Sequence, residues 1–275
     1  MRDNVSVTTP ARPAKPTVAQ VREVTQPAEI LNRANSEHWL NDVYLRKVSV
    51  YLTRHLIMLK VSPNQVTMVM IAIGKLAALS LLIQGIPGAL IAAVLAQYQM
   101  VWDCSDGEVA RWQEKYSPAG IFLDKVAHYT VEGLIPVTLG IRAAGGISIF
   151  GDEAVSWWPW YGALLAVVVL WNKAMNDAVH VARSHSGLSK LEDVKGVSSP
   201  NHSFLRSLRN ITRVFPFQRI FHSIEMTMII LIAAVVDAAR GDLRATQITL
   251  LAMLSLAIVT LIGHFISIMS SSRLR

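Results

Sequence analysis

Asp103, Asp106, Asp124 and His128 interrupt a long apolar region of the chain, with Glu108, Arg111, Lys125 and Glu132 close by. An ionisable group at membrane depth is costly and needs a polar cavity or a partner, so such a gathering marks a functional site by default. Asp103 and Asp106 stand three positions apart, which puts both carboxylates on one face of a helix. Asp124, His128 and Glu132 recur at four-residue spacing and form a polar stripe on a second helix. Two such helices meeting at one end would converge three carboxylates and an imidazole. Oxygen-rich sets of this kind suit Mg²⁺ or Mn²⁺, and the imidazole admits another transition metal. Gly107 and Ala110 are small enough for a bulky ligand to approach the backbone, and Arg111 offers the planar fork that suits phosphate. Each residue alone has a plainer role. An Asp pair can cap a helix, Arg111 can pair with Glu114, and His128 can be a hydrogen-bonded packing residue. Their coincidence at one depth points to a metal–phosphate site.

The elements that must hold these groups follow from composition and pattern. The chain has 275 residues, 52% hydrophobic and 16% charged, with a mean hydropathy of +0.38. Soluble domains run at about 25% charged residues, so an ordinary water-soluble globule is excluded, as is a disordered chain. The net charge of +7 suggests an anionic partner. Its basic residues are spread over loops that flank apolar segments, which speaks against nucleic acid. The single Cys104 excludes an internal disulfide and a Cys-rich zinc site.

The expected fold is an all-α polytopic membrane protein with six transmembrane helices preceded by an amphipathic interfacial helix. Residues 1–35, with Pro10, Pro13, Pro16 and Pro27, read as a disordered cytosolic tail and not as a signal peptide. Residues 36–62 read as the interfacial helix, capped by Ser36 and stopped after Ser62 by Pro63, with Trp39, Tyr51 and Leu59 on its apolar face. Residues 63–275 form the catalytic domain, with spans near 66–84, 87–103, 120–142, 157–180, 220–239 and 246–270. Arg and Lys outside the spans favour one side, which predicts an integral protein of the cell (inner) membrane with both termini and the active site cytosolic.

The run Asp103-Cys-Ser-Asp106-Gly107-Glu-Val-Ala110-Arg111 is followed by eight residues to Gly120, three to Asp124 and three to His128. It resembles the CDP-alcohol phosphotransferase signature, D-x2-D-G-x2-A-R-x8-G-x3-D-x3-D, at every fixed position but the last. Ser62-Pro-Asn64-Gln-Val-Thr67 resembles that family's approach to its first span, and the wording around Arg46–Thr67 and Gly107–Arg111 is most similar to the di-inositol-phosphate phosphate synthase branch. The resemblance implies a reaction in which a CDP-linked alcohol gives its substituted phosphate to an acceptor hydroxyl and CMP leaves. It implies a divalent metal, Mg²⁺ first and Mn²⁺ or another transition metal as alternatives, on Asp103, Asp106 and Asp124. Asn64, Thr67, Gly107, Ala110, Arg111 and Gly120 are then expected at the nucleotide or diphosphate, and a homodimer is expected as well.

His128 is the departure, standing where the family has the aspartate held to deprotonate the acceptor. Imidazole can serve as general base, as metal ligand, or both, and Glu132 one turn on can hold the ring in one tautomer. A competing reading is that losing the fourth acid silences the enzyme. Lys125, His180 and Arg183 are candidates for binding a charged acceptor, while Lys75 and Lys173 can line a cavity or snorkel. The donor ranges from CDP-inositol-like to CDP-diacylglycerol-like and the acceptor from an alcohol to a phosphorylated polyol, with membrane lipids as surroundings. Another Asp-rich membrane transferase, such as a prenyltransferase, and a non-enzymatic transporter are the other classes in play.

Overall fold

The computed structural model describes residues 12–28, 40–147, 156–189 and 217–274. They form eight α-helices: α1 (Val18–Thr25), α2 (Arg46–Met58), α3 (Pro63–Ser80), α4 (Gly85–Gln113), α5 (Pro118–Ala143), α6 (Trp158–His185), α7 (Ser223–Arg240) and α8 (Arg244–Ser270). Helices α3 to α8 lie over the six expected spans. Among the described residues, α4, α6 and α8 are long and apolar enough to cross a membrane. The chain divides into two compact units, one of residues 1–70 and 100–124, the other of 71–99 and 125–275.

In the first unit two sequence expectations need correction. The segment read as a disordered tail contains α1, which opens with a reciprocal capping box. Gln20 N–H donates to Thr17 Oγ1 at 3.2 Å and Thr17 N–H donates to Gln20 Oε1 at 2.9 Å. Val21 of α1 is fully buried and packs with Val50, Ile57 and Trp112, an anchor that a Pro-rich composition gave no reason to expect. The second correction concerns Pro63. Helix α2 ends at Met58, and Lys60 (φ 56°) turns the chain before any proline is reached. Pro63 instead opens α3 at the first helical position, inside a second capping box in which Ser62 and Gln65 exchange bonds of 2.9 and 3.4 Å. Ser36 and Trp39 lie outside the described residues. Helix α2 buries Ser49, Val50, Thr53, Leu56 and Ile57, and leaves Val48 and Tyr51 exposed, as is Leu59 just past its end.

The second unit is built on one apolar core that includes Leu81, Ala92, Ile135, Leu139, Leu165, Met226, Ile230 and Leu250. Helices α5 and α6 approach very closely: a Cβ on Gly140 would stand 2.7 Å from the Trp158 carbonyl oxygen and 2.9 Å from Gly162 Cα. Small residues permit such backbone-to-backbone packing where side chains cannot. Arg142, in the last turn of α5, is 1% exposed. Its guanidinium donates to the carbonyls of Ile83 (2.8 Å) and Gly85 (2.6 Å), closing the turn between α3 and α4. Asp237 caps α8 by accepting the N–H groups of Ala245 (2.7 Å) and Thr246 (3.0 Å). His264 Nδ1 and Asn172 Oδ1, 2.6 Å apart, tie α8 to α6.

Candidate active site

The signature acids of the first unit sit on the last turns of α4 and the first turns of α5. Along α4, Cys104, Ser105, Glu108 and Val109 are buried, while Asp103, Asp106, Gly107 and Ala110 are half-buried. These four follow the i, i+3, i+4, i+7 pattern and, with the half-buried Trp102 and Arg111 beside them, make one helical face that is not sealed by the core. Asp106 Oδ2 accepts the Thr67 hydroxyl at 2.9 Å, and Thr67 is 3% exposed. Asp103 and Asp124 present carboxylate oxygens within 4.8 Å of each other. Two oxygens across one Mg²⁺ at ~2.1 Å each span at most ~4.2 Å, so this pair needs only a small side-chain adjustment to share an ion. The all-oxygen donor set of Asp103, Asp106 and Asp124 fits a hard divalent cation.

Residues expected at the nucleotide gather on the same unit. A Cβ on Gly120 would meet Asn64 Oδ1 at 3.4 Å, and one on Gly107 would meet Arg111 Nη1 at 3.2 Å. Gly120 lies in the first turn of α5, where its N–H donates to Ser117 Oγ at 3.0 Å. Thus Asn64 lies over Gly120, Thr67 holds Asp106, and Arg111 lies over Gly107. The sequence grouping of Glu108 with these acids does not hold. Two positions on from Asp106, it points about 200° round the helix. There it is fully buried and accepts from Thr53 (2.6 Å), Ser49 (2.7 Å) and Gln26 (2.9 Å), with Arg46 at 3.7 Å.

His128 stands one turn beyond Asp124 on the unbroken helix α5 and belongs to the second unit. Its Nδ1 lies 3.6 Å from Glu132 Oε1, an ion-pair distance beyond ordinary hydrogen-bond length. Glu132 is 1% exposed and has two further basic neighbours: Lys173 Nζ from α6 at 2.7 Å, and His222 Nδ1 at 3.3 Å. The sequence reading left Lys173 between cavity and snorkel and did not single out His222. A lysine within an apolar span was a usable signal, whereas His222, at the start of α7, carried none.

The three acceptor candidates fare differently. Lys125 Nζ pairs with Asp177 Oδ1 at 3.0 Å, and Tyr129 donates to Asp177 Oδ2 at 2.9 Å. His180 is exposed on α6, three residues after Asp177. Arg183 is 8% exposed and commits Nε and Nη2 to the Ser189 carbonyl (3.0 and 2.8 Å) and Nη1 to the Arg273 carbonyl (2.6 Å). Its guanidinium is a clasp between chain segments, and nothing in these bonds supports an acceptor role.

The intact spacing and the ligand-accessible stripe agree with the comparison to known families. No curated protein matches the chain. The family model described as CDP-alcohol phosphatidyltransferase matches residues 60–270, so the chain belongs to the CDP-alcohol phosphatidyltransferase family, enzymes that transfer a phosphate-linked group from a CDP-alcohol.

Proposed function

We propose that this enzyme attaches the substituted phosphate of a CDP-linked alcohol to an acceptor hydroxyl at a divalent-metal site on Asp103, Asp106 and Asp124, with His128 as general base. The observation that carries this reading is the half-buried stripe of Asp103, Asp106, Gly107 and Ala110 on α4, together with the Asp103–Asp124 approach of 4.8 Å or less. When bound, the metal neutralises the diphosphate and stabilises charge on the departing CMP.

The chain's own residues do the rest. Thr67 fixes Asp106 through its hydroxyl, Gly107 and Ala110 leave room for the nucleotide, and Arg111 meets the diphosphate. His128 takes the acceptor's proton as the acceptor oxygen bonds to the distal phosphorus, and the phosphorus–oxygen bond to CMP breaks. Glu132 is a positioning residue: with Lys173 and His222 it holds a negative charge beside the His128 ring and stabilises the imidazolium that forms. Helices α3 to α8 are read as six spans with the site on the cytosolic side, and the exposed Val48 and Tyr51 of α2, with Leu59 just past its end, as the contact with the membrane interface.

The test is incubation of the purified protein with a panel of CDP-alcohols and acceptors under Mg²⁺ or Mn²⁺, following CMP. Metal-dependent CMP release with one donor–acceptor pair is expected. Nucleotide binding without CMP from any pair would mean that replacing the family's last aspartate with His128 has silenced the enzyme.

A further inference from the structure

The segment ahead of α2 is fastened along the helix that carries the signature. Arg12 Nη1 meets Glu114 Oε1 at 2.7 Å, and Arg54 Nε donates to the Pro16 carbonyl at 2.8 Å. Val21 is fully buried with Trp112. At the far end Gln26 Nε2 donates both to Glu108 Oε1 (2.9 Å) and to the Arg46 carbonyl (2.8 Å). Between these anchors, the Thr25 carbonyl accepts Arg111 Nε at 2.6 Å. Thr25 is fully buried and Gln26 is 8% exposed, so both are built into the fold. Glu108, Arg111, Trp112 and Glu114 all belong to the turns of α4 that follow Gly107, or to their immediate end.

The bond to Thr25 has a consequence for the signature arginine. Arg111 is four residues after Gly107, on the same helical face. With Nε held by a backbone carbonyl, its guanidinium lies over Gly107, Nη1 being 3.2 Å from where a Cβ would stand. A long side chain loses about 2 kcal/mol of rotamer freedom when fixed, so a partner that fixes it beforehand spares the ligand that cost. The family match begins at residue 60, beyond this segment.

We propose that residues 12–26 are part of the donor site, acting as a positioning element whose Thr25 carbonyl orients Arg111 for the diphosphate of the CDP-linked donor. This rests on the donor reading above and adds to it a contribution from outside the matched domain. The segment governs donor affinity and leaves the chemical step to the acids and His128.

The test is a binding cycle in the full membrane protein, with CDP as probe and Mg²⁺ present, read by calorimetry. Deleting residues 2–27 is expected to weaken CDP binding about tenfold, and Gln26→Ala about threefold. Arg111→Ala is expected to weaken it by a similar factor, and deletion in the Arg111→Ala background to add less than about twofold, because both changes remove one interaction. Unchanged CDP affinity in the deleted chain, or additive losses in the cycle, overturns the proposal. Should the deleted chain fail to fold, Gln26→Ala with a wild-type melting profile decides, and unchanged affinity there overturns the proposal. Full-length protein that binds CDP but never releases CMP defeats the transfer reading while the cycle still decides this one; full-length protein that binds no CDP defeats both.

Discussion

Glu132 Oε2 lies 2.7 Å from Lys173 Nζ, and the glutamate is 1% exposed. A carboxylate so deeply placed needs a counter-charge, which Lys173 supplies, and the His128 and His222 rings stand 3.6 and 3.3 Å from its other oxygen. One acid therefore serves both the α5–α6 packing and the side chain read as the base.

That double duty separates the Glu132 variants. Removing one partner of a buried pair costs about 3–5 kcal/mol because the other charge is left uncompensated, whereas replacing both by apolar groups is often neutral. Glu132→Ala is expected to lower the melting temperature sharply. The Glu132→Leu/Lys173→Met double variant is expected to recover most of it, yet to stay slow in CMP release. Thermal unfolding in detergent beside turnover checks this; a double variant as unstable as Glu132→Ala would show that the charges themselves hold the helices.

His128 is expected to matter to kcat more than to donor binding. A positioned general base contributes about 10²–10⁴-fold, so His128→Ala should lose at least about 10²-fold in turnover, and His128→Asp should keep much of the activity. The kcat and KM of both variants decide the point. Full turnover in the alanine variant would remove His128 from the mechanism.

The acids should show themselves through the metal even without turnover. A ligand that binds only the folded state raises stability by mass action, so Mg²⁺ is expected to raise the melting temperature of the wild-type protein and to fail with Asp103→Asn or Asp124→Asn. Chelation should stop CMP release and added Mg²⁺ or Mn²⁺ should restore it. A metal response that survives both asparagine variants would place the ion elsewhere.

Much of this was legible in the sequence because it rests on spacing. The apolar runs marked helices α3 to α8, and the interval from Asp103 to His128 marked the helix pair that carries the acids. Glu108 was grouped with the acids by proximity alone, although a 100° step per residue turns it away from Asp106. What composition could not show was pairing across long intervals. Gln26 finds Glu108, 82 residues away, inside a Pro-rich segment with no apolar run of its own. His222 reaches Glu132 from another helix in the same way, and no local pattern announces either contact. Arg183 and Arg142 share a different reason. A positive residue near a helix end offers itself as topology charge or, as with Arg183, as an acceptor ligand, and only the fold reveals that each is spent on backbone carbonyls.

Two glycines with different neighbours give the sharpest separation of site from scaffold. At Gly140 a Cβ would meet the Trp158 carbonyl oxygen at 2.7 Å and Gly162 Cα at 2.9 Å, and backbone on both sides cannot yield without parting α5 from α6. Gly140→Ala is therefore expected to destabilise the protein by about 1–3 kcal/mol through overpacking and to lose activity with its fold. At Gly107 the nearest neighbour is Arg111 Nη1 at 3.2 Å, the far end of a flexible side chain. Gly107→Ala should fold normally, since the guanidinium can give way and alanine favours a helix interior by about 1 kcal/mol. The cost should appear in the donor instead, because the added methyl group displaces Arg111 and fills the ligand-accessible stripe. The expected result is a several-fold rise in KM for the CDP-linked donor with an unchanged or higher melting temperature. A Gly107→Ala protein with wild-type donor KM would mean that the nucleotide does not lie against this turn of α4.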